Sequence, residues 1–488
     1  MRPQIRGNAT VRKPTPDPPR RDADAARNGQ AGTGPLDQPA APRKLWHAGT
    51  LTYTSGGLVV LFSWLLWGDF AWSMRERAVY PVVQLLVKRF GASDAVLALL
   101  LSSLPSAMGA LLSPIISYRS DRHRGRWGRR IPYILAATPF AALFMVGLAC
   151  SGLVGDLVRH TLGARLPAGL NLPLIVFGVF WVSFEFSAIV AGSVHGALTN
   201  DVVPRPLLGR FYALFRIVSL LAGIIFNYWL LGAADVHCEW LFAGIAALYG
   251  VGVVMMCLMV KEGEYPPPPT TGPGERKSFF AAVKVYFKEC FSKPYYLWVF
   301  FAMTMGGMAA VPINLFSIPF CKSLGITMAR FGAYSALTYV ISLTLAYFLG
   351  ALVDRFHPLR LGIISLMLYA IATLVGFFYA TTPTGFLFAI VGHSVMAGTY
   401  GTTVGSLSQR LLPHSTYAQF ASAAGLLSSA VNIALSLLFG IVLDLTGHQY
   451  RYTFLMSSGI AVAAMILMIA VHARFMRLGG PERYVAPE

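Results

Sequence analysis

Six arginines and one aspartate crowd residues 117–134, SYRSDRHRGRWGRRIPYI, and long apolar runs stand on both sides. Charge at that density does not enter hydrocarbon, where each ionised side chain costs several kcal/mol. The stretch is therefore predicted to be a short aqueous loop between two membrane helices. Loops this rich in arginine stay on the cytoplasmic side, so it also orients the helices around it.

Apolar runs recur from Leu51 onward, each near the roughly 20 residues a helix needs to cross a bilayer. Only 12% of the 488 residues are charged, against about 25% in soluble domains. A net charge of +18 in a soluble chain would suggest a nucleic-acid partner. Here the positive charge lies in the amino-terminal tail and in alternate loops, the pattern of a lipid-bilayer protein, and no nucleic acid is expected. Cys150, Cys238, Cys257, Cys290 and Cys321 form no CxxC, so neither a disulfide framework nor a metal site is indicated. No G-x-x-x-x-G-K-[ST] loop is present, which argues against transport driven by ATP on this chain alone. No cofactor motif is found.

Residues 1–45 are polar and rich in Pro, Arg, Asp and Gly; they are predicted to be a disordered cytoplasmic tail. They lack the apolar core and cleavage site of a signal peptide. Predicted spans follow at about 51–80, 95–117, 131–151, 172–199, 211–233 and 240–260. Pro132 suits the first turn of the third, where its missing N–H costs nothing. Residues 261–293 read as a polar cytoplasmic linker. Six more spans are predicted at about 296–320, 331–353, 360–380, 384–408, 418–443 and 453–475. The expectation is an all-α membrane protein with 12 transmembrane helices. They form two six-helix bundles, 46–260 and 294–476, with a short tail at 477–488 and both termini cytoplasmic.

The halves echo each other. Ser117-x-x-x-Asp121-Arg122 closes the second span, and Gly350-x-x-x-Asp354-Arg355 closes the eighth. Leu198-TNDVV-Pro204-RPLLGR-Phe211 and Leu407-SQRLL-Pro413-HSTYAQ-Phe420 share one internal spacing between spans four and five and spans ten and eleven. Paired six-span halves mark a transporter whose site lies between the repeats.

These loops carry a family resemblance. SDRHRGRWGRRIPYI resembles the span two–three loop of the major facilitator superfamily. Its R-x-R-W-G-R-R-x-P form looks like the glycoside–pentoside–hexuronide:cation symporters and the related sucrose transporters. Span one, Phe70-A-Trp72-SMRERAVY-Pro81-V-Val83-Gln84-Leu85-Leu86, is similar to the sucrose-transporter first span in order and spacing. The resemblance covers nearly all of residues 51–476 and implies two pseudo-symmetric bundles around a central cavity.

An ionisable residue inside a span is a functional hypothesis by default. Asp69, Trp72 and Glu76 stand at i, i+3 and i+7 and share one helix face. Carboxylates accept hydrogen bonds from sugar hydroxyls, and an indole stacks on the apolar face of a pyranose. Arg75 adds a cation for an acidic sugar. The plainer alternatives are a helix end at Arg75, Glu76 and Arg77, and for Asp69 a structural pairing with a buried arginine. Asn314 follows Pro312, where a loosened backbone could face the cavity; interhelical packing is the equal alternative. His195 and His393 read first as hydrogen-bonded packing residues and second as relays.

Glu185 is the one charge in FWVSFEFSAIVAG. Burial disfavours the charged carboxylate, which suits loading and release of a proton. Its spacing ahead of A-L-x-x-Asp201 resembles that of the fourth-span aspartate implicated in proton coupling in sucrose transporters. Those transporters carry an arginine late in span four, where this chain has Gly196; Arg75 or Arg216 would have to replace it. Melibiose-type sodium carriers place carboxylates on span two, and VLALLLSSLPSAMGALLSPIISY has none. A proton is favoured over sodium, with Ser102, Ser103 and Ser106 as possible neutral sodium ligands. Asp121, Arg122, Arg126, Arg129, Arg130, Asp354 and Arg355 are the expected cytoplasmic gate, pairing to hold the halves and parting to let them rock.

The expected function is proton-coupled symport of a sugar, of sucrose or glycoside type, across the cell membrane by a monomer. The alternatives are symport of a uronate, sodium coupling, and drug efflux by proton antiport. No nucleophile–base pair or metal cluster supports an enzyme.

Overall fold

The computed structural model describes residues 45–162, 167, 169–265, 279–413 and 416–487. The predicted tail lies outside them up to Lys44, as do residues 266–278 of the predicted linker. A two-stranded hairpin, Trp46–Ala48 paired antiparallel with Leu51–Tyr53, leads into the first helix.

The long helices in chain order are α1 (Ser55–Arg89), α2 (Asp94–Arg122), α3 (Ile131–Ala149), α4 (Ser151–Leu162), α5 (Leu172–Val202), α6 (Arg205–Asp235) and α7 (Cys238–Met259). After the undescribed stretch come α8 (Phe279–Phe291), α9 (Pro294–Ser323), α10 (Met328–Arg355), α11 (Pro358–Tyr379), α12 (Pro383–Val404), α13 (Tyr417–Leu445) and α14 (Tyr452–Arg477). Among the described residues ten helices are long and apolar enough to cross a membrane: α1, α2, α3, α5, α6, α7, α9, α11, α13 and α14. Helices α10 and α12 occupy the two remaining predicted spans without reaching that measure. The molecule is an all-α, multi-pass membrane protein.

Local chemistry explains where the helices begin. Thr54, Ser93, Asn171, Thr327 and Thr382 accept a backbone N–H at the starts of α1, α2, α5, α10 and α12, the role for which short polar side chains are preferred. Proline occupies the first turn of α3, α5, α9, α11 and α12, where its fixed φ fits and its missing N–H is harmless. Helix α9 breaks at Ala309–Ala310, and the Tyr369 hydroxyl donates to the freed Ala309 carbonyl at 3.1 Å.

In the first half, α3 packs on α5 and α7, and α1 on α6 and α7. Trp181, Phe177, Phe184, Phe242 and Tyr249 are fully buried there. In the second half, α11 packs on α12 and α14, and α9 on α14, around Tyr296, Phe300 and Tyr369. Across the halves, α2 meets α13, α6 meets α10 and α1 meets α9. The second predicted span of each half, α2 or α10, therefore meets the fifth of the other, α13 or α6, as a pseudo-two-fold arrangement requires.

Two close backbone approaches fix these crossings. A Cβ on Gly332 would lie 2.0 Å from the Asn227 carbonyl oxygen, and one on Gly440 2.5 Å from that of Asp94. The Asp444 carboxylate of α13 accepts the N–H groups of Asp94 (2.7 Å) and Ala95 (2.9 Å) at the start of α2. Asp94 is fully buried and takes Lys88 at 2.6 Å, His448 Nδ1 at 2.6 Å and the Tyr450 hydroxyl at 3.1 Å. Lys322 also pairs with Asp235. Among the described residues, the hydrogen bonds joining the halves run from the molecular centre to this end. The Arg-rich loop lies at the opposite end, where the first half bonds within itself and to the segment after α7.

Candidate functional site

A cavity of about 710 Å³ lies between the halves. Glu76, Arg77, Arg216, Asn314, Tyr339 and His393 line it, from α1, α6, α9, α10 and α12. Arg77 donates to the Tyr339 hydroxyl at 2.9 Å and to Ser219 at 3.4 Å, and stands over the Tyr339 ring. Arg216 is exposed to the cavity. Neither arginine forms an ion pair with a carboxylate among the described residues.

Asn314 is placed by bonds on both sides. Its carbonyl accepts from Gln84 Nε2 at 3.1 Å, and its side-chain oxygen lies 3.0 Å from His393 Nε2. The other nitrogen of His393 lies 2.9 Å from the Tyr369 hydroxyl. His393 is thus a hydrogen-bonded link that holds Asn314 at the cavity wall. Gln84 also accepts from the Ile318 N–H at 3.2 Å, so it ties α1 twice to the part of α9 after the break.

Asp69, Trp72, Arg75 and Glu185 do not line the cavity. They sit inside the first half, with Asp69, Arg75 and Glu185 only 1%, 6% and 7% exposed. Arg75 lies 4.5 Å over Trp72 and 5.0 Å over Tyr249, close enough to Glu185 for their charges to interact. Trp72 stacks on His195 at 4.5 Å, with the rings 10° apart. Its indole is therefore covered on a face the sequence reading assigned to a sugar. Asp69 accepts from Ser73, but its Oδ2, Arg75 Nε and both ring nitrogens of His195 have no hydrogen-bond partner among the described residues. Buried polar atoms of this kind are costly and seldom left so without a role.

Glu76 joins the two places. It faces the cavity, accepts from Trp72 Nε1 at 2.9 Å and lies 3.6 Å from Arg75. Of the two arginines weighed as a partner for Glu185, Arg75 is beside it, whereas Arg216 lines the cavity.

At the Arg-rich loop, Arg130 reaches Asp121 at 2.5 Å and Asp201 at 3.4 Å; Arg129 reaches Asp201 at 2.7 Å and Asp121 at 3.9 Å. Arg122 stacks 3.7 Å over Tyr118, and Arg126 is exposed. Arg355 lies over Phe356 at the end of α10; the side chain of Asp354 is outside the described residues. Glu262, which the sequence reading left unremarked in the linker, accepts the N–H groups of Arg129, Arg130 and Ile131 at 2.9, 2.8 and 2.6 Å. A carboxylate placed this way caps the start of α3. Burial, then the charges of Asp201 and Glu262, push the Tyr265 phenol well above its usual range, so it stays a donor to Glu262 at 3.2 Å. Asp94, Asp444 and Gln84 were also missed. Ser93-Asp94 before an apolar run was the one available sign, since it reads as a helix start.

Two helical halves around a polar central cavity define a membrane transporter rather than an enzyme. The chain belongs to the Major Facilitator Superfamily, whose sequence profile matches residues 65–434. The "Membrane-associated transporter protein" of Mus musculus is 35% identical over 135 residues, 28% of this chain and 24% of that protein. "Solute carrier family 45 member 4" of Mus musculus is 26% identical over 274 residues, 53% of this chain and 32% of that protein. The matches thus span a quarter to a third of those relatives' length. Among solved structures, an inward-facing bacterial homologue of the iron transporter ferroportin aligns with a TM-score of 0.61 at 14% identity, covering 85% of this chain and 99% of that one. A D-xylose-proton symporter aligns at 0.56 and 14%, covering 84% and 96%. At these identities the structural likeness establishes the fold.

Proposed function

We propose that the chain is a proton-coupled sugar symporter of the sucrose- and glycoside-carrier branch, with 12 transmembrane helices and both termini cytoplasmic. The observation that carries this reading is Glu76, which faces the cavity and lies 3.6 Å from Arg75, whose charge also acts on the buried Glu185. A volume of about 710 Å³ falls within the 300–1,000 Å³ typical of small-molecule sites. Glu185 takes the proton. When Glu185 is ionised, Arg75 divides its attraction between two carboxylates. When Glu185 is neutral, Arg75 is left to Glu76. The sugar hydroxyls then meet a different acceptor in each state, and that difference in affinity is what coupling requires. Ser102, Ser103 and Ser106 bond to Asn432, Ser436 and the Ile433 carbonyl, which favours a proton over sodium at α2.

The test is uptake into proteoliposomes with acid outside, for a panel of neutral sugars, with and without an uncoupler. Accumulation that collapses with uncoupler is expected. Glu185→Gln is expected to lose uphill accumulation and keep exchange; full accumulation by that variant overturns the assignment. No uptake of any sugar under a proton or sodium gradient moves the reading to drug efflux.

A second substrate class is favoured by one observation. Arg77 and Arg216, neither in an ion pair among the described residues, bring two positive charges to the cavity wall, which suits an acidic sugar such as a uronate. Competition of neutral against acidic sugars decides between them.

A further inference from the structure

A second hollow, of about 750 Å³, opens on the outer face of the first half, away from the central cavity. Its walls come from α2, α3 and α5 and are almost wholly apolar, with Phe140 and Phe186 exposed along them. The two serines in the wall, Ser183 and Ser187, spend their hydroxyls on carbonyls of their own helix at 2.9 Å. Their protons are thus not free to donate to a guest. Along α3 the hollow runs from Pro132 to Phe144, about 18 Å at the rise of an α-helix. That is close to the roughly 15 Å of one bilayer leaflet.

One end of the hollow is chemically different. His123 and Tyr133 form it, edge to face at 5.8 Å, where the Arg-rich loop begins and ends. The loop's charges are not all balanced. Arg129 and Arg130 are paired with Asp121 and Asp201. Glu262 is occupied by backbone N–H groups. Arg122 rests on a tyrosine ring, and Arg126 is exposed without an ion-pair partner among the described residues. Trp127, half exposed beside it, is the residue type that settles at the lipid–water boundary. An apolar slot about one leaflet long thus ends at His123 and Tyr133, the two residues between which the Arg-rich loop, with its exposed Arg126, runs.

We propose that this groove is a binding site for an anionic phospholipid. One acyl chain lies in the α2–α3–α5 slot, and the phosphate meets His123 and Arg126. Charge complementarity selects the headgroup, because a zwitterionic lipid fills the slot equally well but gains less at the rim.

The test uses the full chain, purified in neutral detergent and exposed to equal amounts of phosphatidylglycerol and phosphatidylcholine. Retained lipid is counted by native mass spectrometry. The wild-type protein is expected to retain phosphatidylglycerol over phosphatidylcholine by about fivefold, the factor one basic residue supplies near an anionic headgroup. Arg126→Gln removes an exposed charge, leaves the fold intact and is expected to bring that ratio close to one. Ala136→Trp places an indole in the slot from an exposed position and is expected to lower retention of both lipids, with its melting curve confirming a folded protein. Equal retention of the two lipids by wild type overturns the proposal. So does an unchanged ratio in Arg126→Gln, or undiminished phosphatidylglycerol in a folded Ala136→Trp, which would leave charge attraction without a groove.

Discussion

Arg77 shows how one side chain's position decides its meaning. In the sequence it belongs to the run Arg75-Glu76-Arg77, for which a helix end is the plainer alternative reading. Successive helix residues point about 100° apart, and the structure sends Arg75 into the first half while Arg77 faces the cavity. If the substrate is acidic, Arg77→Gln is expected to lower its uptake roughly tenfold or more, the value of a hydrogen bond to a charged group, with neutral sugars little affected. Initial-rate uptake of both substrate types checks this. His357 gives a second prediction at this scale. It caps α11 by accepting the Leu359 N–H at Nδ1 (3.3 Å) and packs on Phe475. Burial, joined by the charges of Arg410, His472 and Arg360, pushes its imidazole down to about 4. The unfolded side chain titrates near about 6.5. A depressed folded value means that the contribution is complete above that pH and declines as pH falls toward 4. Melting curves between pH 7 and pH 4.5 are expected to show a smaller drop for His357→Asn, which keeps a cap that does not titrate.

At the scale of helices and loops, backbone contacts dominate. Gly332 leaves no room for a methyl group because the atom opposite is a carbonyl oxygen of α6. Gly332→Ala must push α10 off α6, at about 1–3 kcal/mol, and a lowered melting temperature measures it. Glu262→Ala strips three N–H groups at the start of α3 of their acceptor. It is expected to cost about 1–3 kcal/mol and to raise proteolysis within the Arg-rich loop. Much of this level was legible beforehand. The loop at 117–134, the proline starts and most helix limits follow from charge, apolar length and φ restriction, which act locally. The break in α9 was legible only as a loosened backbone at Pro312; the Tyr369 hydroxyl that makes it tolerable comes from another helix. Nor were the bonds of Glu262, Gln84 and Asp444. Each side chain answers a backbone group distant in the chain, and a sequence carries no sign of which donor it will meet. The candidate site was legible in kind, as intramembrane charge, but the split between cavity and bundle interior depends on helix rotation and partner rings.

For the whole molecule, the described bonds between the halves define one closed end. Rocking the halves must break the Asp94 cluster and the Gln84 contacts with α9 together. Asp444→Asn keeps the shape of the side chain but removes its charge and one acceptor. It is expected to shift the resting population toward opening at the Asp94 end, seen as a longer spin-label distance between residues 93 and 447. An unchanged distance distribution would mean that apolar packing between α2 and α13 holds this end without the polar cluster.

The cap on α2 has a consequence of its own. Two N–H groups at the start of this helix are satisfied by Asp444, a residue some 350 positions away in the other half. If that end opens, the helix keeps Ser93 as its local cap but loses the borrowed one, and two donors turn to water. A transport cycle would then loosen and re-form a helix terminus at each turnover. Amide hydrogen exchange at Asp94 and Ala95 becomes a clock for the cycle, quickening with substrate and silent in a protein locked shut.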